Sequence, residues 1–441
     1  MARERAALSH PGARYVVQPA ARVGGELTVP GDKSISHRAL MLGGIADGQT
    51  GIHGFLPSED CHATLAALRA MGVAIEQHSA TQLTVHGAGA RGLAAPGQVL
   101  DMGNSGTALR LFMGLLAAQR FDSTLIGDAS LMRRPMERVA LPLRAMGAAI
   151  ETAQGTPPVQ IGGGRQLTAI DYVLPVPSAQ VKSAILLAGL AAEGVTRVTE
   201  PAPTRDHTER MLTGFGAQLQ RQGATVGIAG GQRLTATRVE VPADISSAAF
   251  FLVAGALAAH EGLTLRNVGV NPTRTGILDI LRLMGADIRM ENRRESGGEP
   301  SADLIVRASQ LRGIRIPAEL VPLAIDEFPV LFIAAAAADG VTELTGAEEL
   351  RVKETDRLAV MAEGLGRLGV RHELHADGIR IEGGRISGGT IDSHGDHRIA
   401  MAFAVASLRA SGPLEILDVA NVATSFPGFV PLARSAGLAI S

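Results

Sequence analysis

The chain has 441 residues, of which 46% are hydrophobic and 19% are charged, and its formal net charge is -2. This length and composition exclude a single small binding module and a disordered chain. The near-zero net charge argues against a general basic surface for nucleic acid. Any affinity for anions therefore has to come from local clusters of cations.

The N-terminal segment, MARERAALSH, lacks the apolar core of a signal peptide. The longest uncharged apolar run, 245–259, is shorter than the roughly 18 residues of a membrane span. Cys61 is the only cysteine, so no internal disulfide and no thiolate metal cluster are expected, and its helical pattern favours a buried thiol. We therefore expect a cytoplasmic protein that binds neither membranes nor a metal.

Five copies of one pattern, Leu-x-x-apolar-Gly-apolar, follow one another along the chain, and a looser sixth copy, ARSAGLAI, comes after them. Each copy predicts the end of a helix, a glycine cap and then a strand. The glycines of the copies are Gly72, Gly147, Gly216, Gly285, Gly369 and Gly437. A repeat of this length with two helices indicates a mixed α/β protein, since the repeats of solenoids are shorter.

A second pattern recurs with the same rhythm: a short strand, a cluster of Pro, Asp, Ser or Asn, and an apolar, Ala-rich helix. Copies begin near Thr28, Leu100, Leu174, Glu240, Ile325 and Ile391. Because these helices are apolar on nearly every face, we expect them inside each domain with the strands outside. The similarity of VPGDKS to VPADIS marks the chain crossings and predicts two domains of three repeats, 27–244 and 1–26 joined to 245–441.

Polar residues stand where these buried helices are predicted to begin, namely Ser34, Asn104, Ser178, Ser246 and His397. Exposed N–H groups and the helix dipole make such positions anion sites, although each residue alone is equally an ordinary N-cap. Cations lie close to four of the starts, at Lys33, Arg38, Arg133, Arg134, Lys353, Arg357 and Arg398. The clusters suit a substrate with several phosphates or carboxylates, whereas each cation alone fits an exposed salt bridge.

Lysine occurs only at Lys33, Lys182 and Lys353. Either lysine is kept where a compact, more easily deprotonated ammonium matters, or a coding bias removed the others. On the first interpretation Lys33 and Lys353 are functional, and Lys182 is structural or lies on a helix surface. Asp326, in AIDEFPVLF, precedes an apolar helix in a basic neighbourhood and is a candidate general base as well as a candidate cap.

A series of motifs between about 29 and 427 resembles, in order, the 5-enolpyruvylshikimate-3-phosphate (EPSP) synthase family. The motifs are GDKSISHR, GNSGTALR, DASLMRRPM, PSAQVKS, TRDHTER, IDEFPV, ELRVKETDR and DHRIAMAF. The resemblance implies two globular halves, each of three βαβαββ repeats, with the active site in the cleft between them. It also implies transfer of enolpyruvyl from phosphoenolpyruvate to shikimate 3-phosphate by addition and elimination, without a cofactor or metal, in a protein that we expect to be monomeric.

The site residues that the resemblance implies come from the matching motif positions. Those for shikimate 3-phosphate are Lys33, Ser34, Arg38, Ser178, Ala179, Gln180, Arg205, Asp326 and Lys353. Those for phosphoenolpyruvate are Lys33, Asn104, Gly106, Arg134, Gln180, Arg357, His397 and Arg398. Asp326 would take the proton of the attacking hydroxyl, and Glu354 and Lys33 are candidates for proton transfer at the methylene carbon.

The chain departs from many members of the family at Arg205, Glu349 and Thr424, and there it resembles the second major class. Gly106, unlike the Ala of tolerant relatives in that class, leaves room for the inhibitor glyphosate. One alternative is the sister transferase acting on UDP-N-acetylglucosamine, which typically has a Cys where GDASLMRRP has none. Others are a six-repeat ring around DNA, which would need a basic stripe, and a non-enzymatic scaffold.

Overall fold

The structure is a computed structural model that describes residues 13–441. The segment MARERAALSH, which the signal-peptide expectation concerns, lies outside these residues. The α-helices of the described range are α1 Lys33–Ile45, α2 Glu59–Ala70, α3 Gly106–Leu116, α4 Glu137–Ala145, α5 Ala179–Gly189, α6 His207–Gly214, α7 Ile245–Ala258, α8 Gly276–Leu283, α9 Phe328–Ala336, α10 Arg357–Arg367, α11 His397–Ala406 and α12 Phe429–Ala436. Short 3₁₀ helices cover Leu131–Arg133, Ala318–Leu320, Glu348–Val352 and Ala420–Thr424.

The strands lie between these helices. They are β1 Arg14–Gln18, β2 Gly25–Leu27, β3 Asp47–His53, β4 Ala74–Gln77, β5 Gln82–Ala88, β6 Leu100–Asp101, β7 Ser123–Ile126, β8 Ala149–Ala153, β9 Thr156–Gly162, β10 Asp171–Val173, β11 Val195–Thr199, β12 Leu219–Gln222, β13 Thr225–Ala229, β14 Arg238–Glu240, β15 Leu263–Gly269, β16 Asp287–Ser296, β17 Glu299–Arg307, β18 Val341–Leu344, β19 His372–Leu374, β20 Ile379–Glu382, β21 Gly389–Asp392, β22 Leu414–Leu417 and β23 Ala439–Ile440.

The chain divides into two compact units, each with its own hydrophobic core. Unit 2 consists of Gly31–Pro242 and Glu295–Pro300, and unit 1 contains the other described residues. The short segment 295–300 joins β16 to β17, and it belongs to unit 2 because Arg210 donates to the Gly298 carbonyl at 2.6 Å and His207 pairs with Glu299 at 2.7 Å. This charged hairpin carries no repeat signal, so the sequence places it in the other domain.

The apolar, Ala-rich helices are buried, as the sequence predicts. Every residue of α7 and of α9 is buried, and α1 is buried from Ile35 to its end. The strands cover them, since α1 packs on β5, α5 on β11 and α7 on β15. Helices that are apolar on all sides gain most from complete burial, so each unit has helices inside and sheets outside.

Unit 2 has three four-stranded sheets, with orders β14-β3-β5-β4, β6-β7-β9-β8 and β10-β11-β13-β12. In each sheet the first two strands are parallel and the others antiparallel. Strand β14 runs beside β3, although the two are far apart in the sequence, with Val239 opposite Ile52. The last strand of unit 2 thus completes its first sheet.

Unit 1 also has three sheets, with orders β16-β17-β15-β2, β18-β20-β19 and β21-β22-β1-β23. Strand β2 runs parallel to β15. Strand β1 lies between β22 and β23 and is antiparallel to both, with Val17 opposite Leu414 and Ile440. The N-terminal strands therefore complete two sheets whose other strands come from residues beyond 260.

The six repeat glycines follow helices and precede strands, as predicted. Their φ angles lie between 75° and 110°, a conformation that costs glycine nothing and other residues much more. In each repeat the pattern therefore marks a glycine in the left-handed conformation directly after a helix. Within residues 13–441, none of the helices combines the length and the apolar character needed to span a lipid bilayer.

Candidate functional site

The candidate residues fall into two groups, one in each unit, which we call the unit 2 cluster and the unit 1 cluster. The unit 2 cluster consists of Lys33, Ser34, Arg38, Asn104, Gly106, Arg110, Arg134, Ser178, Ala179, Gln180 and Arg205. The unit 1 cluster consists of Asp326, Glu349, Lys353, Glu354, Arg357, Asp396, His397 and Arg398. Both clusters gather at the N-terminal ends of buried helices.

The start of α1 carries Lys33 and Ser34. The Asp32 carboxylate caps this helix by accepting from the Ile35 N–H at 2.8 Å. The Lys33 ammonium lies 3.0 Å from the Asp60 carboxylate in the first turn of α2, and its side chain is 18% exposed. The ion pair ties the start of α1 to the first turn of α2.

Arg38, one turn further along α1, is buried. Its guanidinium donates to the Thr208 hydroxyl at 2.7 Å, the Ser34 carbonyl at 2.9 Å and the Ser183 hydroxyl at 3.0 Å. Burial lowers the pKa of Arg38 to about 10, so the side chain remains a cation at neutral pH. These three neutral acceptors orient the guanidinium, and the nearby carboxylates of Glu209, Asp32 and Glu299 oppose the lowering of its pKa.

Ser178, Ala179 and Gln180 form the start of α5. The Ser178 hydroxyl caps the helix by accepting from the Val181 N–H at 3.4 Å. The Gln180 amide donates to the Thr107 hydroxyl at 2.9 Å and accepts from Arg110 at 2.6 Å. These bonds hold the starts of α3 and α5 together.

Asn104, Gly106 and Arg134 meet at the start of α3. The Arg134 guanidinium donates to the Asn104 side-chain oxygen at 2.7 Å. A methyl group built on Gly106 would lie 3.0 Å from Nη1 of Arg110 and 3.2 Å from Nη1 of Arg134. Gly106 thus lets two guanidinium groups approach the first turn of the helix.

Arg205 lies in the loop before α6 and is partly exposed. Its charge is close enough to lower the pKa of Arg38, although burial is the larger cause. With Lys33, Arg110 and Arg134 it gives the unit 2 cluster an excess of positive charge beside the starts of three buried helices. Such an arrangement favours the binding of anions, as the sequence predicts.

Asp326 of the unit 1 cluster precedes α9. Its carboxylate lies 3.3 Å from Arg357, 3.5 Å from Lys353 and 4.0 Å from Arg398. Arg398 also donates to the Asp326 main-chain carbonyl at 3.1 Å. Three cations surround a carboxylate whose side chain keeps 13% of its surface exposed, so it can still reach a bound molecule.

Arg357 is the centre of this cluster and is buried. Besides Asp326, it pairs with Asp396 at 2.8 Å and with Glu354 at 2.6 Å. Burial alone would lower the pKa of Arg357, but the three carboxylates together raise it above its ordinary value. The guanidinium is a permanent cation that fixes the positions of three carboxylates.

The remaining residues of the unit 1 cluster lie around this centre. Lys353 is 3.7 Å from Glu349, so the departure at position 349 places a second carboxylate beside the lysine. His397 is buried in the first turn of α11, whose N-cap is Asp396. Thr424, the other departure, is buried and donates to the Asn421 carbonyl at 2.7 Å.

The interpretation of Lys182 as a residue of a helix surface is wrong. Its side chain is fully buried in α5, 2.8 Å from Glu200 and 2.7 Å from Glu209. Every residue of this helix from Val181 to Gly189 is buried, so it has no solvated face there on which a lysine could lie. Lys182 therefore has a structural role as the cation of a buried ion-pair network.

Two residues of the site were not among the candidates from the sequence, Arg110 and Asp60. Arg110 is a buried cation in the otherwise apolar helix α3, and Asp60 is a buried carboxylate in the first turn of α2. A buried charge needs a partner, so the position of Arg110 within a mostly apolar helix was a signal in the sequence. Asp60 gave no such signal, because α2 is not an apolar helix. Cys61 is buried as expected, and burial raises the pKa of its thiol.

Comparisons with known proteins find relatives over nearly the whole chain. The profile of the family described as EPSP synthase (3-phosphoshikimate 1-carboxyvinyltransferase) matches residues 17–432. A protein of Methylococcus capsulatus named 3-phosphoshikimate 1-carboxyvinyltransferase is 61% identical over 97% of this chain and 98% of its own length. One of the same name from Alkalilimnicola ehrlichii is 62% identical, with 97% and 96% covered. A solved structure of EPSP synthase from Acinetobacter baumannii has a TM-score of 0.88 at 55% identity and covers 97% of this chain and 99% of that one.

Proposed function

The chain belongs to the EPSP synthase (3-phosphoshikimate 1-carboxyvinyltransferase) family, and we propose that it transfers the enolpyruvyl group of phosphoenolpyruvate to the 5-hydroxyl of shikimate 3-phosphate. Phosphate is released, and the product enters the shikimate pathway towards the aromatic amino acids. The match of the family profile to nearly the whole chain is the observation that carries this conclusion. No cofactor is needed, because the reaction is an addition followed by an elimination.

The unit 2 cluster is proposed to bind the anionic groups. Lys33, Arg38 and Arg205 face the phosphate and the ring of shikimate 3-phosphate, together with Ser34 and the start of α5. Phosphoenolpyruvate is proposed to bind at Asn104, Gly106, Arg134 and Gln180. Lys33 contacts both substrates. The support is the grouping of these cations at the starts of buried helices, where Arg38 and Arg134 donate to neutral oxygens.

The unit 1 cluster, together with Lys33 of the unit 2 cluster, is proposed to transfer the protons. In the addition step the 5-hydroxyl oxygen bonds to C2 of phosphoenolpyruvate, and Asp326 accepts the hydroxyl proton while Glu354 or Lys33 gives a proton to the methylene carbon. In the elimination step that carbon loses a proton, the double bond re-forms and phosphate leaves C2. Lys353, Arg357, His397 and Arg398 would hold the substrates and stabilise the developing negative charge.

The alternatives receive no support from the molecule. The sister transferase that acts on UDP-N-acetylglucosamine typically uses an accessible cysteine, whereas Cys61 is buried in α2. A scaffold or DNA-binding ring would have no need for a buried arginine joined to three carboxylates. The relatives found over the full length are named for the shikimate reaction.

Three further properties are part of the proposal. We infer that glyphosate competes with phosphoenolpyruvate, because Gly106 adds no side chain at the start of α3. The protein is proposed to be a monomer and to reside in the cytoplasm.

The test is phosphate release from phosphoenolpyruvate with either shikimate 3-phosphate or UDP-N-acetylglucosamine as the acceptor. We expect turnover with shikimate 3-phosphate alone. Turnover only with UDP-N-acetylglucosamine would identify the sister activity, and none with either acceptor would contradict the assignment. Gel filtration at several protein concentrations tests the monomeric state in the same preparation.

A further inference from the structure

Two interactions connect α1 to α2 at the edge of the unit 2 cluster. Lys33 pairs with Asp60 at 3.0 Å, and one turn further along both helices Nδ1 of His37 lies 2.8 Å from the Thr64 hydroxyl. The spacing is four residues on each helix, so the two interactions lie on matching faces. The sequence singled out Lys33 in this motif but gave His37 no role.

His37 also reaches a third helix. Its Nε2 lies 3.2 Å from the hydroxyl of Ser105, the N-cap of α3, which accepts from the Ala108 N–H at 3.1 Å. Ser105 stands between Asn104 and Gly106, both candidates for phosphoenolpyruvate. One fully buried imidazole thus connects the helix of Lys33 with the first turn of α3.

The geometry suits a neutral imidazole. A neutral ring has one donor and one acceptor nitrogen, and the two hydroxyl groups can serve either tautomer. Burial lowers the pKa of His37 to about 3, with Lys33 and Arg38 adding to the effect and Asp32 opposing it. The ring is therefore uncharged at neutral pH, which agrees with its two hydroxyl partners.

We propose that His37 is a positioning residue for phosphoenolpyruvate, acting through the Ser105 hydroxyl. It fixes the first turn of α3, with Asn104 and Gly106, relative to Lys33 on α1. This inference rests on the proposed function, because it assigns the start of α3 to phosphoenolpyruvate. Shikimate 3-phosphate, assigned mainly to α1 and α5, should be affected much less.

Two amide substitutions separate the contacts of the ring. The amide of Asn can occupy the place of Nδ1 and keep the Thr64 contact, whereas that of Gln can reach the place of Nε2 and keep the Ser105 contact. We expect His37→Asn to raise KM for phosphoenolpyruvate about tenfold, as the loss of one hydrogen bond allows. His37→Gln should remain within about twofold of wild type, because its link to Ser105 survives.

The experiment measures kcat, both KM values and thermal unfolding for these variants and for Ser105→Ala. Thr199→Val is the matched control, since it removes a hydroxyl pair of the same kind, with Thr225 at 2.8 Å, between β11 and β13 of unit 2. Ser105→Ala removes the same contact and also the cap on the Ala108 N–H, so its rise in KM for phosphoenolpyruvate should be at least that of His37→Asn. Adding His37→Asn to Ser105→Ala should raise this KM no further, because the contact between the two residues is already lost. Should His37→Asn not fold, Ser105→Ala carries the same test.

Lower unfolding temperatures with unchanged KM for phosphoenolpyruvate would show a merely structural histidine and overturn the proposal. Equal effects of His37→Asn and His37→Gln, or a rise in KM for shikimate 3-phosphate alone, would overturn it too. These outcomes presuppose turnover by the wild type. A wild type without turnover would instead refute the proposed function.

Discussion

The two clusters differ in what surrounds their arginines. In unit 2, Arg38 donates to two hydroxyls and a carbonyl, and Arg134 donates to an amide oxygen. In unit 1, Arg357 alone contacts three carboxylates. A hydrogen bond to a neutral oxygen orients a guanidinium without pairing its charge. The carboxylates around Arg357 pair its charge and are themselves held in fixed positions. We therefore propose that unit 2 mainly binds the substrates and that unit 1, together with Lys33 of unit 2, transfers the protons.

The sharpest way to break this comparison is to remove the base from the unit 1 cluster. We expect Asp326→Ala to lower kcat by about 10²- to 10⁴-fold, the usual contribution of a general base, while the cations of unit 2 still bind both substrates. Steady-state kinetics and substrate titration check this. Asp339→Ala is the control, as this exposed carboxylate of unit 1 bonds only to Gln310 among the contacts described, at 2.8 Å. A variant with nearly normal kcat would show that Asp326 is not the base.

Substitutions of the three lysines should affect different properties, namely stability at Lys182 and turnover at Lys33 and Lys353. Lys182→Met leaves Glu200 and Glu209 buried without their cation and should cost about 3–5 kcal/mol in the free energy of unfolding. Lys182→Arg should also destabilise, by about 1–3 kcal/mol, because the enclosed site has no room for a longer side chain. Lys33→Arg and Lys353→Arg should instead keep the fold and lose turnover. Urea unfolding and kinetics on all four variants check this, and equal tolerance at the three positions would favour the coding bias.

A substitution at the start of α3 should change the affinity of the unit 2 cluster for the inhibitor glyphosate. We expect the wild type to be inhibited by glyphosate competitively with phosphoenolpyruvate. In Gly106→Ala the added methyl group would press on Arg110 and Arg134, which it would approach to 3.0 and 3.2 Å, as well as on the inhibitor. Overpacking of this kind costs about 1–3 kcal/mol, and the longer inhibitor should lose more of it than the substrate. Inhibition constants for both proteins decide this, and an unchanged value in the variant would place the limit elsewhere.

Acid should weaken the two units in different pH ranges. In unit 2, the pKa of His37 is lowered to about 3. Below about pH 6.5 the imidazole is therefore protonated in the unfolded chain but not in the folded one, and the free energy of unfolding falls as the pH drops. The slope is about 1.4 kcal/mol per pH unit. In unit 1, the pKa of Asp303 is lowered to about 2. Burial would raise this pKa, but hydrogen bonds from Asn267, Asn292 and Arg266 outweigh the effect of burial. Its contribution is lost only between about pH 4 and 2.

Hydrogen exchange at pH 7, 5 and 3.5 can follow each unit separately. His37→Gln, which cannot titrate, should flatten the loss in unit 2 between pH 7 and 5, whereas Asp303→Asn should leave that range unchanged. If both units lose protection together and the variants do not separate them, the two groups do not set the acid response.

Much of this architecture could be predicted from the sequence, because it is written in local patterns. The glycine caps follow from a repeated spacing, and the burial of α7 follows from its composition. The partners of Lys182 could not be predicted, since Glu200 and Glu209 lie in a loop and in a different helix and meet it only in the packed unit. The segment 295–300 was missed for the same reason, because its contacts with α6 are made across a long stretch of sequence.

The placement of β1 has a consequence for synthesis on the ribosome. All three sheets of unit 2 are made of strands between Asp47 and Glu240, so this unit can fold while later residues are still being added. Strand β1 pairs with β22 across 401 residues, from Arg14 to Glu415. Strand β1, the earliest of the strands described here to be synthesised, is therefore among the last to find its neighbours. Until then it has to be kept from pairing with other nascent chains.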